Sequence, residues 1–225
     1  MSIDKDYIME CHYLIVARKE NKMKNIIAIQ HTQSVHHTNG MIGSLAEWEL
    51  TDLGKGQAEC VGKNLLDFIK DKKYVMYSSN QIRAMQTADI ISKHLGVVYT
   101  VDECLREHDL GEAVGKSVEW AHENTIVWMK GIDDRPFNGA ETKREKWNDL
   151  SPFVNQIINS NDENIIIISH GGTLSIFAAM WLGLEVEDLN HCDFGGSSGS
   201  VSIFQEDSDG KRVIKRLGDM SFLKI

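Results

Sequence analysis

The sequence predicts an α/β protein, a three-layer α/β/α sandwich around a mostly parallel central sheet. Short apolar runs rich in β-branched residues alternate along the chain with longer amphipathic segments, as strands alternate with crossover helices. The clearest run is NIIIIS at residues 164 to 169, and another occupies residues 26 to 29. Both are apolar at successive positions, which is typical of strands covered on both faces.

The first helix is predicted from its cap and its apolar side. Thr51 is a candidate N-cap for a helix that extends to about Lys70. The apolar side of this helix is formed by Leu53, Val61, Leu65 and Phe68. The other predicted elements are a strand at 74 to 79, a helix to about His94 ended by Gly96, a strand at 97 to 101, helices at 117 to 130, 142 to 159 and 173 to 184, and a C-terminal hairpin that turns at Asp209 and Gly210.

Length and composition favour one domain. The chain has 225 residues, is 42% hydrophobic and contains two prolines, and no glycine- or serine-rich linker divides it. We predict a single domain at residues 25 to 225. We interpret residues 1 to 24 as an N-terminal extension and assign no function to it. The extension is expected to be either disordered or an artefact of a start site chosen upstream of Met23.

Charge and cysteine content exclude several classes of function. A net charge of −9 argues against nucleic acid or an anionic membrane surface as the main partner, although a local basic pocket could hold a small anion. No apolar run approaches the length of a membrane span. The four cysteines are scattered without a CxxC pair, so we predict reduced thiols in a cytoplasmic protein. We expect a monomer or a homodimer, the latter paired through the tail hairpin.

Polar side chains at the predicted strand ends define a candidate site. In open α/β sheets, ligands bind outside the carboxyl ends of the strands. The residues at those ends are Gln30 and His31 after the first strand, Ser78, Ser79 and Arg83 after the second, and Ser169, His170 and Gly171 after the fourth. Two histidines and an arginine are therefore expected to converge.

These residue types suit phosphoryl chemistry on a small phosphorylated metabolite. An arginine fork, a protonated histidine and free N–H groups at a helix N-terminus all donate hydrogen bonds to phosphate oxygens. A neutral imidazole can attack phosphorus and form a phosphohistidine, and a carboxylic acid can protonate the leaving oxygen. The loop after the third strand offers Glu107, Asp109 and Glu112, and position alone does not choose among them.

Neither a metal nor another cofactor is predicted. The pair His36 and His37 suggests a metal site, but no acidic or cysteine ligand pattern lies nearby in the sequence. We interpret both as loop histidines.

Five ordered motifs resemble the histidine phosphatase superfamily, also called phosphoglycerate mutase-like. They are QHTQS, LTDLGKGQA, YSSNQIRAMQTA, LREHDLGEAVGK and ISHGGTL, and the resemblance spans about residues 25 to 220. It is closest to the broad-specificity phosphatase branch. The resemblance implies that His31 is the phosphorylated nucleophile, that Arg83 and His170 hold the phosphate, and that Glu107 is the proton donor. It further implies substrate-binding positions at Gln30, Ser34, His37 and Gly171.

The sequence departs from the family where Gln30 replaces the arginine of an Arg-His-Gly motif. Glutamine donates hydrogen bonds but brings no charge and no bidentate fork. The loss of one charge-assisted contact is expected to cost about 1.5–3 kcal/mol, or roughly one to two decades in rate.

Three functions are compatible with this sequence. We predict a phosphatase acting on small phosphomonoesters. A phosphoglycerate mutase is the first alternative, although residues 112 to 140 are too few for the additional substrate-binding insert expected of a mutase. The second alternative is a catalytically weakened protein that binds a phosphorylated ligand, which Gln30 favours and Glu107 opposes.

Overall fold

The computed structural model describes residues 23–70, 72–127 and 129–224. It contains six strands, β1 (Lys24–Gln30), β2 (Val75–Ser78), β3 (Tyr99–Val101), β4 (Asn164–Ser169), β5 (Val201–Glu206) and β6 (Arg212–Asp219). The main helices are α1 (Asp52–Ile69), α2 (Ile82–Leu95), α3 (Val118–Asn124), α4 (Lys143–Asn159) and α5 (Gly171–Leu182). Of the proposed extension at residues 1 to 24, residues 1 to 22 lie outside the described residues. Lys24 is already the first residue of β1.

The predicted α/β class is confirmed. The strands form one sheet in the order β3-β2-β4-β1-β5-β6, in which β3, β2, β4 and β1 run parallel. β5 is antiparallel to β1, and β6 pairs with β5 as the predicted hairpin. The carboxyl ends of β1, β2 and β4 therefore meet at one edge of the sheet.

Each face of the sheet carries a separate apolar core. Ile27, Ile29 and Ile166 pack with side chains of α1 and α2. Ile26 and Ile165 point to the opposite face and pack with side chains of α4 and α5. This alternation explains why the centres of β1 and β4, residues 26 to 29 and 165 to 168, are apolar at successive positions, since each residue there is buried on one face or the other.

Helix α1 buries a different stripe from the predicted one. Val61 and Leu65 are buried, but Leu53 and Phe68 are 59% and 45% exposed. Four of the buried positions of α1 are Gly54, Ala58, Gly62 and Ile69. Small residues bring α1 close to its neighbours, so the large side chains at its two ends are not needed in the core.

Two other predicted elements are shorter than expected. The predicted strand at 97 to 101 pairs only from Tyr99 to Val101. The predicted helix at 117 to 130 ends at Asn124, because the next residues turn back and the N–H of Ile126 donates to the carbonyl of Pro136.

Gly54 permits the contact between α1 and the segment after β1. A methyl group at Gly54 would lie 1.9 Å from the carbonyl oxygen of Gln33, whereas one at Gly56 would meet nothing within 4 Å. We expect Gly54→Ala to lower the free energy of unfolding by about 3 kcal/mol, because backbone must move. The control Gly56→Ala, in the same helix, is expected to raise it by about 0.5–1 kcal/mol. Urea denaturation measures both, and equal effects would contradict the steric argument.

Candidate active site

His31 lies directly after β1 and is 3% exposed. Its backbone N–H donates to the carbonyl of Ser169, which fixes it against the end of β4. Its Nδ1 lies 2.8 Å from the carbonyl oxygen of Thr32, and a carbonyl only accepts, so Nδ1 carries the proton. The lone pair is therefore on Nε2, the nitrogen that would have to attack phosphorus.

Arg83 holds that nitrogen in place. Arg83 lies in the first turn of α2 and is 1% exposed. Its Nε donates to His31 Nε2 at 3.1 Å, Nη1 donates to the carbonyl of Ala46, and Nη2 donates to the carbonyl of Ser44. These contacts use three of the five guanidinium N–H donors and leave two for a ligand. Burial lowers the pKa of Arg83 to about 10, so it remains a cation at neutral pH.

His170 lies at the N-cap of α5 and is fully buried. Its ring centroid is 5.0 Å from that of His31, and its Nε2 is 2.9 Å from Ser79 Oγ. Within the described part of the chain, His170 Nδ1 is buried without a hydrogen-bond partner. Burial, with the nearby charge of Arg83, holds the pKa of His170 well below its ordinary value. The pKa of His31 is likewise held well below its ordinary value by burial and by its proximity to His170 and Arg83.

Two further histidines stand beside His31. Ser34 N–H donates to His37 Nδ1, so the proton of a neutral His37 is on Nε2, and Ser34 Oγ bonds with His36 Nδ1 at 2.8 Å. Burial and the neighbouring His37 lower the pKa of His36 to about 3. Burial and Arg83 lower the pKa of His37. Both rings are therefore neutral near pH 7.

The structure places the rings of His36 and His37 beside His31, a proximity that the sequence did not indicate. One nitrogen each of His31, His36 and His37 lies within 4.8 Å of the others, a spacing that could hold a metal ion. The third ligand was not apparent in the sequence, because it comes from the end of a strand. Arg83, however, donates directly to His31 Nε2, and its positive charge opposes a cation there and favours an anion.

Glu107 is the carboxylate that the loop brings to the site. Asp109 accepts from the N–H of Gly111 and Glu112 accepts from Asn138, whereas the Glu107 carboxylate lines the same cavity as His31. The geometry thus distinguishes three residues that the sequence left equivalent.

The carboxylate of Glu107 occupies the N-terminus of α5. It accepts from the N–H groups of Gly172 at 3.1 Å and Thr173 at 3.2 Å, and from the N–H of His108 at 3.0 Å. The expectation that this helix N-terminus offers free N–H groups to phosphate is therefore wrong for Gly172 and Thr173. Burial raises the pKa of Glu107, but the contacts with His108 and His170 outweigh it and hold that pKa well below its ordinary range.

Gln30 is the residue that the sequence analysis identified as a departure from an Arg-His-Gly motif. It is half-buried at the end of β1, and a methyl group added at Gly171 or Gly196 would lie 3.3 Å from its amide. The two glycines thus make room for the Gln30 side chain, which lines the cavity.

The cavity has a volume of about 650 Å³. It brings together Gln30, His31, Arg83, Glu107, His37 and Gly171 of the predicted residues. Ser34 and His170 are fully buried and do not line it, but each contacts a residue in or beside it. The cavity-lining residues that sequence reasoning missed, or assigned elsewhere, include His36, Ser44, His108, Lys143 and Asp193. No spacing in the sequence links Lys143 to the site.

A sequence model of the histidine phosphatase superfamily (branch 1) matches residues 26–219. The chain belongs to the histidine phosphatase superfamily. Relatives include a protein of Hydrogenobacter thermophilus named as a phosphoserine phosphatase, 33% identical over 171 residues, which cover 74% of this chain and 83% of the relative. A 2,3-bisphosphoglycerate-dependent phosphoglycerate mutase of Nitrobacter winogradskyi is 27% identical over 176 residues, 73% of this chain and 84% of the mutase.

Solved structures share the fold of this histidine phosphatase superfamily member. A mycobacterial glucosyl-3-phosphoglycerate phosphatase in complex with inorganic phosphate superimposes with a TM-score of 0.75 at 19% identity, over 90% of this chain and 100% of that one. Among the described residues, no helix has both the length and the apolar character needed to cross a membrane.

Proposed function

We propose that this protein hydrolyses small phosphomonoesters through a phosphohistidine on His31. The observation that carries the proposal is the fixed tautomer of His31, with Nδ1 bonded to the Thr32 carbonyl and Nε2 directed to the Arg83 guanidinium. A neutral imidazole held next to an arginine with two unused donors suits nucleophilic attack on a bound phosphate. The phosphatase names of several relatives support the same chemistry.

In the first half-reaction, His31 Nε2 forms a bond to phosphorus and the bond to the ester oxygen breaks. That oxygen keeps the bonding pair and takes a proton from Glu107. In the second half-reaction, water attacks phosphorus and gives a proton to Glu107. The bond between phosphorus and His31 Nε2 breaks, its electron pair returns to Nε2, and inorganic phosphate is released. Glu107 is ionised in the free protein, and a phosphate dianion bound beside it would raise its pKa, because two negative charges then share the site.

The charges in the cavity favour hydrolysis over the mutase. Arg83 and Lys143 line the cavity together with Glu107 and Asp193, so the formal charges cancel. A bisphosphorylated primer carries two highly charged groups, and this lining offers few cations for the second. Four further expectations stay predictions. They are that residues 1 to 24 form an extension, that the protein is cytoplasmic, that it is a monomer or a homodimer, and that its activity is independent of metal.

Steady-state hydrolysis of p-nitrophenyl phosphate in EDTA tests the proposal. We expect turnover by the wild type, none above background by His31→Ala, and unchanged turnover by the control His191→Ala at an exposed position. A wild type indistinguishable from His31→Ala, here and on a panel of natural phosphomonoesters, would refute the enzyme and leave a phosphate-binding protein.

Gln30→Arg tests the family departure in the same assay. The added guanidinium is expected to raise kcat/KM by roughly one to two decades, the value of one charge-assisted contact. Gln156→Arg on the exposed surface of α4 adds the same charge away from the cavity and is the matched control. An unchanged kcat/KM in Gln30→Arg would show that the Gln30 amide supports phosphoryl transfer as well as a guanidinium at that position.

A second, apolar cavity next to the main one, here called the annex, predicts the preferred leaving group. This cavity of about 260 Å³ shares Ile42, Leu110 and Met129 with the main one and ends at Ala121 and Phe137. Burial of an aromatic ring there contributes about 1.5–3 kcal/mol. We expect Ala121→Phe, which fills the annex, to lower kcat/KM for 2-naphthyl phosphate by about tenfold or more while glycerol 2-phosphate keeps its value. An equal loss on both substrates would argue against the annex as a subsite.

A further inference from the structure

We propose that Glu107 and His108 act as a pair, in which His108 holds the proton that Glu107 delivers to the leaving oxygen. The inference rests on the proposed function and assigns a role to His108, which acts through Glu107 as a positioning residue.

The two side chains are adjacent and face the cavity together. His108 Nδ1 lies 3.6 Å from Glu107 Oε1, and the backbone N–H of His108 donates to the same oxygen at 3.0 Å. Both residues line the cavity with His31. A methyl group at Gly172 would lie 2.7 Å from Glu107 Oε1 and 3.0 Å from His108 Nδ1, so the glycine leaves the space in which these atoms meet.

Glu107 alone is a poor source of a proton in the free protein. The N–H groups of Gly172, Thr173 and His108 all donate to its carboxylate, and N–H donors favour the ionised form. An acid catalyst has to arrive with a proton. A neighbouring imidazole can supply it, since histidine both gives and takes protons near neutral pH.

His108 lies in the wall of the cavity, and part of its hydrogen-bonding capacity is unused within the described part of the chain. Its carbonyl accepts from Ser44 Oγ, and its side chain is 11% exposed. Among the described residues, His108 Nε2 is buried without a hydrogen-bond partner. A purely structural histidine would use both nitrogens, whereas here Nδ1 faces the Glu107 carboxylate and Nε2 is left without a hydrogen-bond partner within the described ranges.

The charged groups around the pair favour one shared proton. Glu141 also acts electrostatically on His108. Glu107 itself faces His170, Arg83 and His36.

When a phosphate dianion binds, Glu107 takes the proton from His108 Nδ1, and the leaving oxygen takes it from Glu107 as its bond to phosphorus breaks. The proton that water releases in the second half-reaction returns through Glu107 to His108.

The test compares leaving groups in His108→Asn. p-Nitrophenolate is stable as an anion and needs no proton, whereas the alkoxide from glycerol 2-phosphate needs one. We expect kcat/KM for glycerol 2-phosphate to fall by about 100-fold, the typical contribution of a general acid, and that for p-nitrophenyl phosphate by less than about threefold. The pH optimum on glycerol 2-phosphate should move to lower pH, because Glu107 alone loses its proton earlier. His191→Asn, exposed, is the control.

The outcomes separate this inference from the proposed function. Equal losses on the two substrates, or no loss on either, would overturn the role of His108 while hydrolysis by the wild type still supports the phosphatase. A wild type without turnover would overturn both. His108→Gln is measured in parallel, and circular dichroism and thermal unfolding identify a variant that has lost its fold. Should both variants unfold while wild-type kcat/KM shows no sensitivity to the leaving group, the inference also fails.

Discussion

Replacement of Arg83 by lysine is expected to lower kcat/KM for p-nitrophenyl phosphate by about 10²–10³, the effect of removing one preorganised donor from a transition state. The guanidinium fixes His31 Nε2 and holds the carbonyls of Ser44 and Ala46 while keeping two donors for phosphate. A lysine has three donors on one nitrogen and cannot reach these three directions together. The substitution then removes both the orientation of the His31 nucleophile and the guanidinium contact with phosphate, and both losses slow phosphoryl transfer.

Steady-state kinetics and urea denaturation of Arg83→Lys separate catalysis from folding. Arg216→Lys, on β6 and 46% exposed, is the matched control and should leave kcat/KM unchanged. An Arg83→Lys protein that folds normally and keeps the wild-type kcat/KM would refute the assignment of Arg83 to the phosphate.

The free energy of unfolding is expected to fall as the pH drops below about 6.5, the ordinary pKa of histidine. Burial keeps the pKa of His31 and of His170 well below that value, so both stay neutral in the folded protein while the unfolded chain takes up protons. Stability is therefore fully present above pH 6.5 and is lost as the pH falls toward the folded pKa values. Each such histidine removes up to about 1.4 kcal/mol per pH unit in that range.

Urea denaturation between pH 7 and pH 5 measures this slope. His170→Asn should reduce the slope by up to one proton, whatever its effect on stability at pH 7, and His191→Asn should leave it unchanged. Identical slopes in wild type and His170→Asn would mean that His170 takes up its proton in the folded state.

The sequence predicted the parts of the site that belong to regular elements. The apolar runs of β1 and β4 place His31 and His170 at the same sheet edge, and the start of α2 adds Arg83 beside them. These positions follow from strand period, buried faces and the rule that ligands bind at the carboxyl ends of strands. The chain places them together because three parallel strands end at one level.

Loop contacts between distant residues could not be predicted in the same way. His36 faces His31 because the segment after β1 folds back and its Ser44 carbonyl is held by Arg83, 39 residues away. Glu107 reaches the N-terminus of α5 across 65 residues. No local period or cap signals either contact. The short α3 has the same origin, since Trp120 stacks on Phe137 and the chain turns to allow it.

Gln30 has a consequence for the product as well as for the substrate. Inorganic phosphate released in the cavity meets the same donors that held the ester, with one guanidinium from Arg83 and a neutral amide where a second cation would stand. Weaker binding of the phosphoryl group at Gln30, which would slow phosphoryl transfer, would also speed the release of inorganic phosphate. We therefore expect an enzyme with Gln30 to be less inhibited by inorganic phosphate than its Gln30→Arg variant, and to keep working where phosphate accumulates.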